Sequence, residues 1–578
     1  MRLSKFNIDF EGLKARWDRF KMKPSHKALA LLCIFIVAAM IPNIALATTE
    51  MYGWWSIPAG IMLPLGLYIV GGALLRRTGA YVLLMTWLLV LCALQIVLLV
   101  LYGNSIIGTD MFLNLFTTNP DESSELLANL SDSVFAVIFI YVPILLYAVR
   151  ATHRKHRITK KMRKRLLPTG AVIGVVGALM LIPARITSES SILLGEVFPF
   201  NVLYNLQLCF STQMKVQRYE STSEDFTYGA TRSDDPSQRE IYIYMIGEAS
   251  RAENWQLYGY ERATTPQLSL RNDIAVFHNV LTQSNTTHKS VPLFLSSVSA
   301  INHAELYTRK GLPALFSEAG FKTYFISNQS PQGAMVDKLA NEADERVYIG
   351  SPRHDMQLLK MMKRIIESDK EANLLFILHC YGSHYSYHQR YPREYAHFQP
   401  DDEVALKQRN RENIVNSYDN SILYTDATIN NIIEYISSLD VCASLLYCSD
   451  HGEDIFDDER ERFLHASPTI TYHQTHVPSL VWFSRLYTEL YPQRVECART
   501  NEWSPITTHS MFHTMASIAS IESVYVDRSA SCVSHEFDAM AKRYYLNDHN
   551  EAVPFDMQHV GLTDEDMRHF HRHGITKL

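Results

Sequence analysis

The sequence predicts an α/β protein in two parts, an N-terminal five-helix transmembrane domain followed by an α/β sheet domain. Three observations carry this. Long apolar runs are confined to the first third of the chain, and clusters of Lys and Arg flank them. From residue 240 onward, strand-like runs alternate with helix-like runs, the pattern of a largely parallel sheet. At 578 residues the chain is too long for a single core.

Five runs are candidate membrane helices, at about 28–47, 57–75, 80–102, 134–149 and 169–185. Segment 1–27 holds eight Lys/Arg against three acids, and Arg150 to Arg165 holds nine and no acid. Beside apolar spans, such runs read as cytoplasmic flanks and not as a nucleic-acid surface. Arg76-Arg77 and the N-terminus join them on that side. The loop 103–132, with five acids and no Lys/Arg, lies outside. An odd number of spans then exports everything after about 186, which in a bacterium places it in the periplasm and the spans in the inner membrane. More spans follow the first apolar run, so it is not a cleaved signal peptide. The domains expected are 1–185 transmembrane, 186–238 juxtamembrane element and linker, and 239–578 catalytic.

Within the middle segment, 186–215 reads as an amphipathic element on the membrane surface or a plain connecting helix, and the polar run 216–238 as a linker. Strands are expected at 240–246, 321–327, 373–380, 444–449 and 478–484. Helices are expected at 287–299, 311–319, 354–369 and 409–438. The eight cysteines show no CxxC spacing, which removes a zinc-finger reading. Cys497–Cys532 is a candidate bridge in an oxidising compartment.

Parallel sheets bind ligands at the carboxyl ends of their strands, and three of those ends carry chemistry. The first runs into Gly247-Glu248, and the fourth into Ser449-Asp-His-Gly-Glu453. The third runs into His379-Cys-Tyr-Gly-Ser-His384. Between them lies Ser284-Asn-Thr-Thr-His-Lys-Ser-Val-Pro292, where Thr287 would open a helix. A carboxylate, an adjacent Asp-His pair and a hydroxyl suit one zinc ion that converts an alcohol to a nucleophile. A helix beginning at Thr287 would aim its amides at a phosphate on that hydroxyl. The same residues also suit a solvated strand tip and an ordinary helix cap, and spacing alone does not choose among Thr286, Thr287 and Ser290. His384 and His465 are candidates for a second zinc, for phosphate oxygens or for protonating a leaving alcohol.

Taken together, these stretches resemble the membrane-bound phosphoethanolamine transferases, the group of lipid A modifying and mobile colistin-resistance enzymes in the alkaline phosphatase/sulfatase superfamily. The matching residues are Gly247-Glu-Ala-Ser-Arg-Ala-Glu-Asn-Trp-Gln-Leu-Tyr-Gly-Tyr260, Thr265-Pro-Gln-Leu268, Ser290-Val-Pro292, Gly382-Ser-His384, Arg390-Tyr-Pro392, Tyr418-Asp-Asn-Ser-Ile-Leu-Tyr-Thr-Asp426, Ser449–Glu453 and Gln474-Thr-His-Val-Pro478. The resemblance implies an alkaline-phosphatase-like exported domain. Its zinc ligands fall on Glu248, Thr287, Asp450 and His451, and counting back from Ser-Val-Pro selects Thr287. It places His384 and His465 at the phosphate or at a second zinc, for one zinc ion or two. In the outer loop it puts Asn114, Thr118 and Glu122 on the phosphoethanolamine headgroup.

The reaction implied has two halves. A zinc-activated Thr287 takes phosphoethanolamine from phosphatidylethanolamine, and an acceptor, lipid A or another surface glycan, then receives it. On lipid A the added amine would reduce negative surface charge and weaken polymyxin-type peptide binding. The chain departs from better-known members at Gln283 and Leu293, where a disulfide brackets their nucleophile, and Asn328–Gly333 lacks a lysine some place near the phosphate. Rival readings are a phosphoglycerol transferase or phosphatase with the same metal core, and a non-enzymatic membrane sensor. A sulfatase would need a Cys/Ser-x-Pro-x-Arg motif, which is absent.

Overall fold

A computed structural model of the chain describes residues 22–48, 54–101, 108–117, 120–187, 195, 197–234, 238–350 and 354–578. Two compact units emerge: residues 1–100 with 130–204, and 101–129 with 205–578.

The first unit is helical. Among the described residues, Pro24–Leu46, Ser56–Leu75, Ser133–His153 and Lys160–Ile186 are each long and apolar enough to cross a membrane. A fifth crossing is formed if Thr78–Leu84 and Thr86–Leu99, bent by 56°, make one span. These match the five runs expected. Small residues let two of the helices touch backbone to backbone. A Cβ at Gly66 would sit 2.4 Å from Gly174 N, and one at Gly177 would sit 2.4 Å from Leu63 N.

The second unit is built on a seven-stranded sheet: β1 (Glu240–Gly247), β2 (Ile274–Phe277), β3 (Lys322–Ser327), β4 (Glu345–Tyr348), β5 (Leu374–His379), β6 (Cys442–Ser449) and β7 (Ser479–Phe483). The spatial order is β2-β7-β6-β1-β5-β3-β4. All neighbours are parallel except β7, which runs antiparallel to both β6 and β2. Every residue of β1, β5 and β6 is buried. That is why these strands read as near-continuous apolar runs, as central strands of a sheet covered on both faces do. The register sets Gly247 beside Ser449 and Ile246 beside His379, so the tips of β1, β5 and β6 end at one level.

Five strands lie where the sequence places them. β2 and β4 went unread because each is only four residues long. The helix expected at 287–299 stops at Phe294, where the serine-rich run Ser296-Ser-Val-Ser299 gives little helical support. The linker expected from 216 is instead helical as far as 222, in the helix Phe200–Thr222. Asn205, Cys209, Val216 and Tyr219 bury one face of that helix and continue its period, while Phe210 and Met214 stay exposed. Cys497 and Cys532 are both free thiols, so the candidate bridge is not formed. Cys532 is buried, with its N–H donating to Thr514 Oγ1 at 2.9 Å.

The 27-residue helix Arg411–Ser437 explains two of the motifs. Asp419, fully buried on it, accepts from Asn254 Nδ2 (2.7 Å), Arg262 Nη1 (2.9 Å) and Tyr260 OH (3.0 Å). One turn pair later, Asp426 accepts from the N–H groups of Gln267 and Leu268. The segment following β1 is thereby strapped to one helix. Asp419→Ala would strand three donors and should cost about 3 kcal/mol of unfolding free energy, read as a lower denaturant midpoint of the full chain in detergent.

Candidate active site

Glu248 follows the last glycine of β1 and is fully buried. Gly247 is required there, since a Cβ would sit 2.3 Å from Tyr447 OH. The next residue, Ala249, holds φ 53°, so the chain turns sharply as it leaves the sheet. Asp450 and His451 follow β6, also fully buried. Asp450 Oδ1 accepts from Ala249 N–H (3.0 Å) and from His451 N–H (2.7 Å), which joins the two strand tips.

Thr287 is the first residue of the helix Thr287–Phe294. Its Oγ1 lies 3.2 and 3.3 Å from the two Glu248 oxygens and 3.2 Å from His451 Nε2. His451 Nε2 is 3.3 Å from Asp450 Oδ2 and 3.6 Å from Glu248 Oε1. The alternatives left open by spacing separate here. Thr286 is buried, with its hydroxyl 3.4 Å from Ser284 Oγ, and Ser290 is buried within the helix.

The donor set fits a divalent metal. One ligand atom from each of Glu248, Asp450 and His451 lies within 4.8 Å of the others. Asp450 Oδ2 is buried and has no hydrogen-bond partner, although its sister oxygen has two. His451 Nδ1 is engaged by the Gly452 carbonyl at 2.9 Å, which leaves Nε2 as its ligand atom. Gln329 Nε2 donates to Glu248 Oε2 at 2.8 Å and to the Cys380 carbonyl at 2.9 Å, orienting the carboxylate. Burial pushes the His451 imidazole below its ordinary pKa, towards the neutral form a metal needs.

His465 packs on His451 with ring centroids 4.1 Å apart. Its Nδ1 is 3.1 Å from Glu453 Oε1, and the other Glu453 oxygen accepts from Tyr387 OH in a short bond. Burial, reinforced by His451, holds His465 well below the usual histidine range. Burial also pushes the Glu453 carboxyl well above the usual carboxylate range. His384 stacks on Tyr381, with Nδ1 2.6 Å from the Tyr385 carbonyl.

The outer-loop residues are placed less fully. Asn114 lies in the helix Thr109–Thr117 and Glu122 in the helix Pro120–His153, and Thr118 lies outside the described residues. Asp110, on the first of these helices, is 3.2 Å from His288 Nε2 and 2.8 Å from Lys289 Nζ. This ties residues 109–117 to the two positions after Thr287. Asp110, Gln329 and Glu453 were not assigned roles from sequence. Glu453 stood inside a recognised motif, but Asp110 and Gln329 carry no local signal.

A zinc-type ligand set and a helix-borne hydroxyl at the carboxyl edge of this sheet define a member of the alkaline phosphatase/sulfatase class with a helical membrane domain. The comparisons agree over both parts. Residues 240–521 match the sulfatase family model, and residues 68–214 match the model for phosphoethanolamine transferase EptA/EptB. A Kdo(2)-lipid A phosphoethanolamine 7''-transferase of Salmonella typhimurium is 27% identical over 417 residues, 66% of this chain and 72% of the relative. The integral membrane lipooligosaccharide phosphoethanolamine transferase A of Neisseria meningitidis shares the fold with a TM-score of 0.67 at 20% identity, over 87% of this chain and 97% of that one. The C-terminal periplasmic domain of EptC from Escherichia coli, in complex with Zn, matches with a TM-score of 0.52 at 23% identity, over 58% of this chain and 98% of that one. The chain belongs to the membrane-bound phosphoethanolamine transferase family.

Gly382 offers a test of the site's support. It holds φ 50°, and a Cβ there would lie 2.7 Å from the Glu248 carbonyl oxygen and 2.9 Å from its N. Gly382→Ala should displace Glu248 and weaken zinc binding by about tenfold or more, measured by competition with a fluorescent chelator.

Proposed function

We propose that this protein transfers phosphoethanolamine from phosphatidylethanolamine to an envelope acceptor, lipid A or another surface glycan, through a covalent phosphothreonine at Thr287. The observation that carries the proposal is the Thr287 hydroxyl set between Glu248 and His451 at 3.2–3.3 Å. Glu248, Asp450, His451 and the Thr287 oxygen would hold the zinc. When bound, zinc supplies Lewis-acid stabilisation of the threonine oxygen and of charge developing on the phosphoryl group.

The remaining steps fall to the chain's own residues. Thr287 Oγ forms the new bond to phosphorus as the bond to the diacylglycerol oxygen breaks, and its proton leaves towards the carboxylate side. The first helical N–H groups face the phosphoryl oxygens. His384 and His465 have Nδ1 occupied, so Nε2 is the atom available to hold those oxygens or to protonate the departing alcohol. In the second half the acceptor oxygen attacks the same phosphorus and Thr287 departs. A Zn-bound relative and the composition of the ligand set support zinc here.

Asn114, Thr118 and Glu122 would hold the phosphoethanolamine headgroup, in an acid-rich loop that suits an ammonium. The Asp110 contacts to His288 and Lys289 support the placing of Asn114, because they anchor its helix beside the nucleophile. The basic flanks of the spans support a bacterial inner-membrane location with the catalytic domain in the periplasm.

Incubating the full chain with zinc and phosphatidylethanolamine should add a phosphoethanolamine group at Thr287, seen by peptide mass spectrometry with release of diacylglycerol. Thr287→Ala should show neither. A zinc-loaded protein that forms no adduct and releases no diacylglycerol would sink the donor assignment. An adduct formed only from phosphatidylglycerol would redirect it to phosphoglycerol transfer.

A further inference from the structure

A second group of potential metal ligands lies outside the Thr287 site, drawn from three separate segments. Glu253 sits in the turn Ala252–Asn254 after β1, His473 in the short helix Tyr472–Thr475, and His569 in the C-terminal helix Asp564–Arg572. His473 Nδ1 is 2.7 Å from Glu253 Oε2, and His569 Nδ1 is 3.3 Å from Glu253 Oε1. One ligand atom from each lies within 4.8 Å of the other two.

These contacts are close, but they are not made hydrogen bonds. Glu253 Oε2, His473 Nδ1 and His569 Nδ1 are all buried and all without a hydrogen-bond partner. His473 is only 4% exposed. Three buried polar atoms this close and without hydrogen bonds cost free energy unless something shared satisfies them. Each imidazole carries an N–H of its own, so two separate hydrogen bonds to the Glu253 oxygens are the competing arrangement. A divalent cation would satisfy all three.

We infer that Glu253, His473 and His569 form a second zinc-type site that is structural and separate from the Thr287 centre. Two imidazoles and a carboxylate are a borderline ligand set of the kind zinc takes, with the fourth position open to water. The nearby Arg251 guanidinium is already paired, 2.6 Å from Asp457 Oδ2 and 3.1 Å from the Glu453 carbonyl. No hydroxyl or thiol nucleophile belongs to the cluster, which points to a staple and not to a second reaction centre.

The staple would join the chain's end to the active-site loop. The C-terminal helix is already docked by Asp566, which accepts from Arg460 and from Tyr472 N–H, and by Tyr472 stacking on His569 at 5.2 Å. His473 backs onto the loop that carries Asp450 and His451. Gly452 N–H donates to the Gln474 carbonyl at 2.9 Å, and a Cβ at Gly452 would sit 2.0 Å from the His473 oxygen. A metal held by His473 would therefore stiffen that loop from behind.

The test counts zinc in the full chain in detergent, stripped with a chelator and dialysed against micromolar zinc. The double variant Asp450→Asn/His451→Ala should keep about one zinc per chain by elemental analysis, and adding His569→Gln should weaken that binding by about tenfold or more. X-ray absorption of the double variant should show a nitrogen/oxygen shell with imidazole scattering. His569→Gln leaves the Asp566 contacts in place, so in the otherwise unaltered chain it should lower total zinc by one equivalent even if the double variant does not fold. A folded double variant that binds no zinc, or zinc content unmoved by His569→Gln in both backgrounds, would overturn the inference.

Discussion

The arrangement depends on one carboxylate oxygen. Asp450 Oδ1 takes the N–H groups of Ala249 and His451 together, one from beyond β1 and one from beyond β6. The two strands are already parallel neighbours in register, so their tips arrive at the same level. Without that shared acceptor each tip would be an independent loop, and loops do not hold groups to within tenths of an ångström. With it, Glu248 and His451 face each other, and the helix beginning at Thr287 closes the remaining side. Its partner oxygen, Oδ2, is left without a hydrogen bond because the pairing of Oδ1 fixes the plane of the carboxylate.

A second layer keeps the first in place. Tyr418 OH donates to the Ala249 carbonyl at 2.8 Å and accepts from Arg251 N–H at 2.9 Å, bracketing the left-handed residue at the tip of β1. One turn of the same helix carries Asp419, which gathers Asn254, Tyr260 and Arg262. The residues that resemble the family between 247 and 268, and those between 418 and 426, are thus two sides of one contact. Most of them never approach the reacting atoms. Their role is to make a strained turn the lowest-energy conformation available, the usual condition for strain at a site to persist.

How far the sequence revealed this follows from where the signal lies. The spans and central strands are long, continuous and apolar, so burial on all sides wrote them plainly. β2 and β4, at four residues each, carry too little pattern. Glu248, Asp450 and His451 were legible because they sit directly beyond strands, where parallel sheets collect their ligands. Spacing alone left Thr287 as one of three hydroxyls; the resemblance selected it, and the geometry sets it apart from Thr286 and Ser290. Gln329, Asp110 and the Glu253-His473-His569 group were not legible, since each draws partners from more than 80 positions away. No periodicity encodes such pairings, and only the folded topology brings them together.

The buried charges give a last constraint. Glu248 and Asp450 are both fully shielded from water and both lie against His451 Nε2. Two carboxylates in such a place repel strongly unless a cation or a proton stands between them. Gln329 and the Thr287 hydroxyl offer neutral donors to Glu248, while Asp450 Oδ2 has no hydrogen-bond partner. Burial favours the neutral imidazole at His451, so that ring does not supply the missing charge. The same logic runs through the second group, where a carboxylate and two imidazoles meet without hydrogen bonds. In both places the protein spends folding free energy to bring ligand atoms close together with some of them left without hydrogen bonds. That expense makes physical sense where metal binding and the stability of the surrounding loops are one coupled equilibrium.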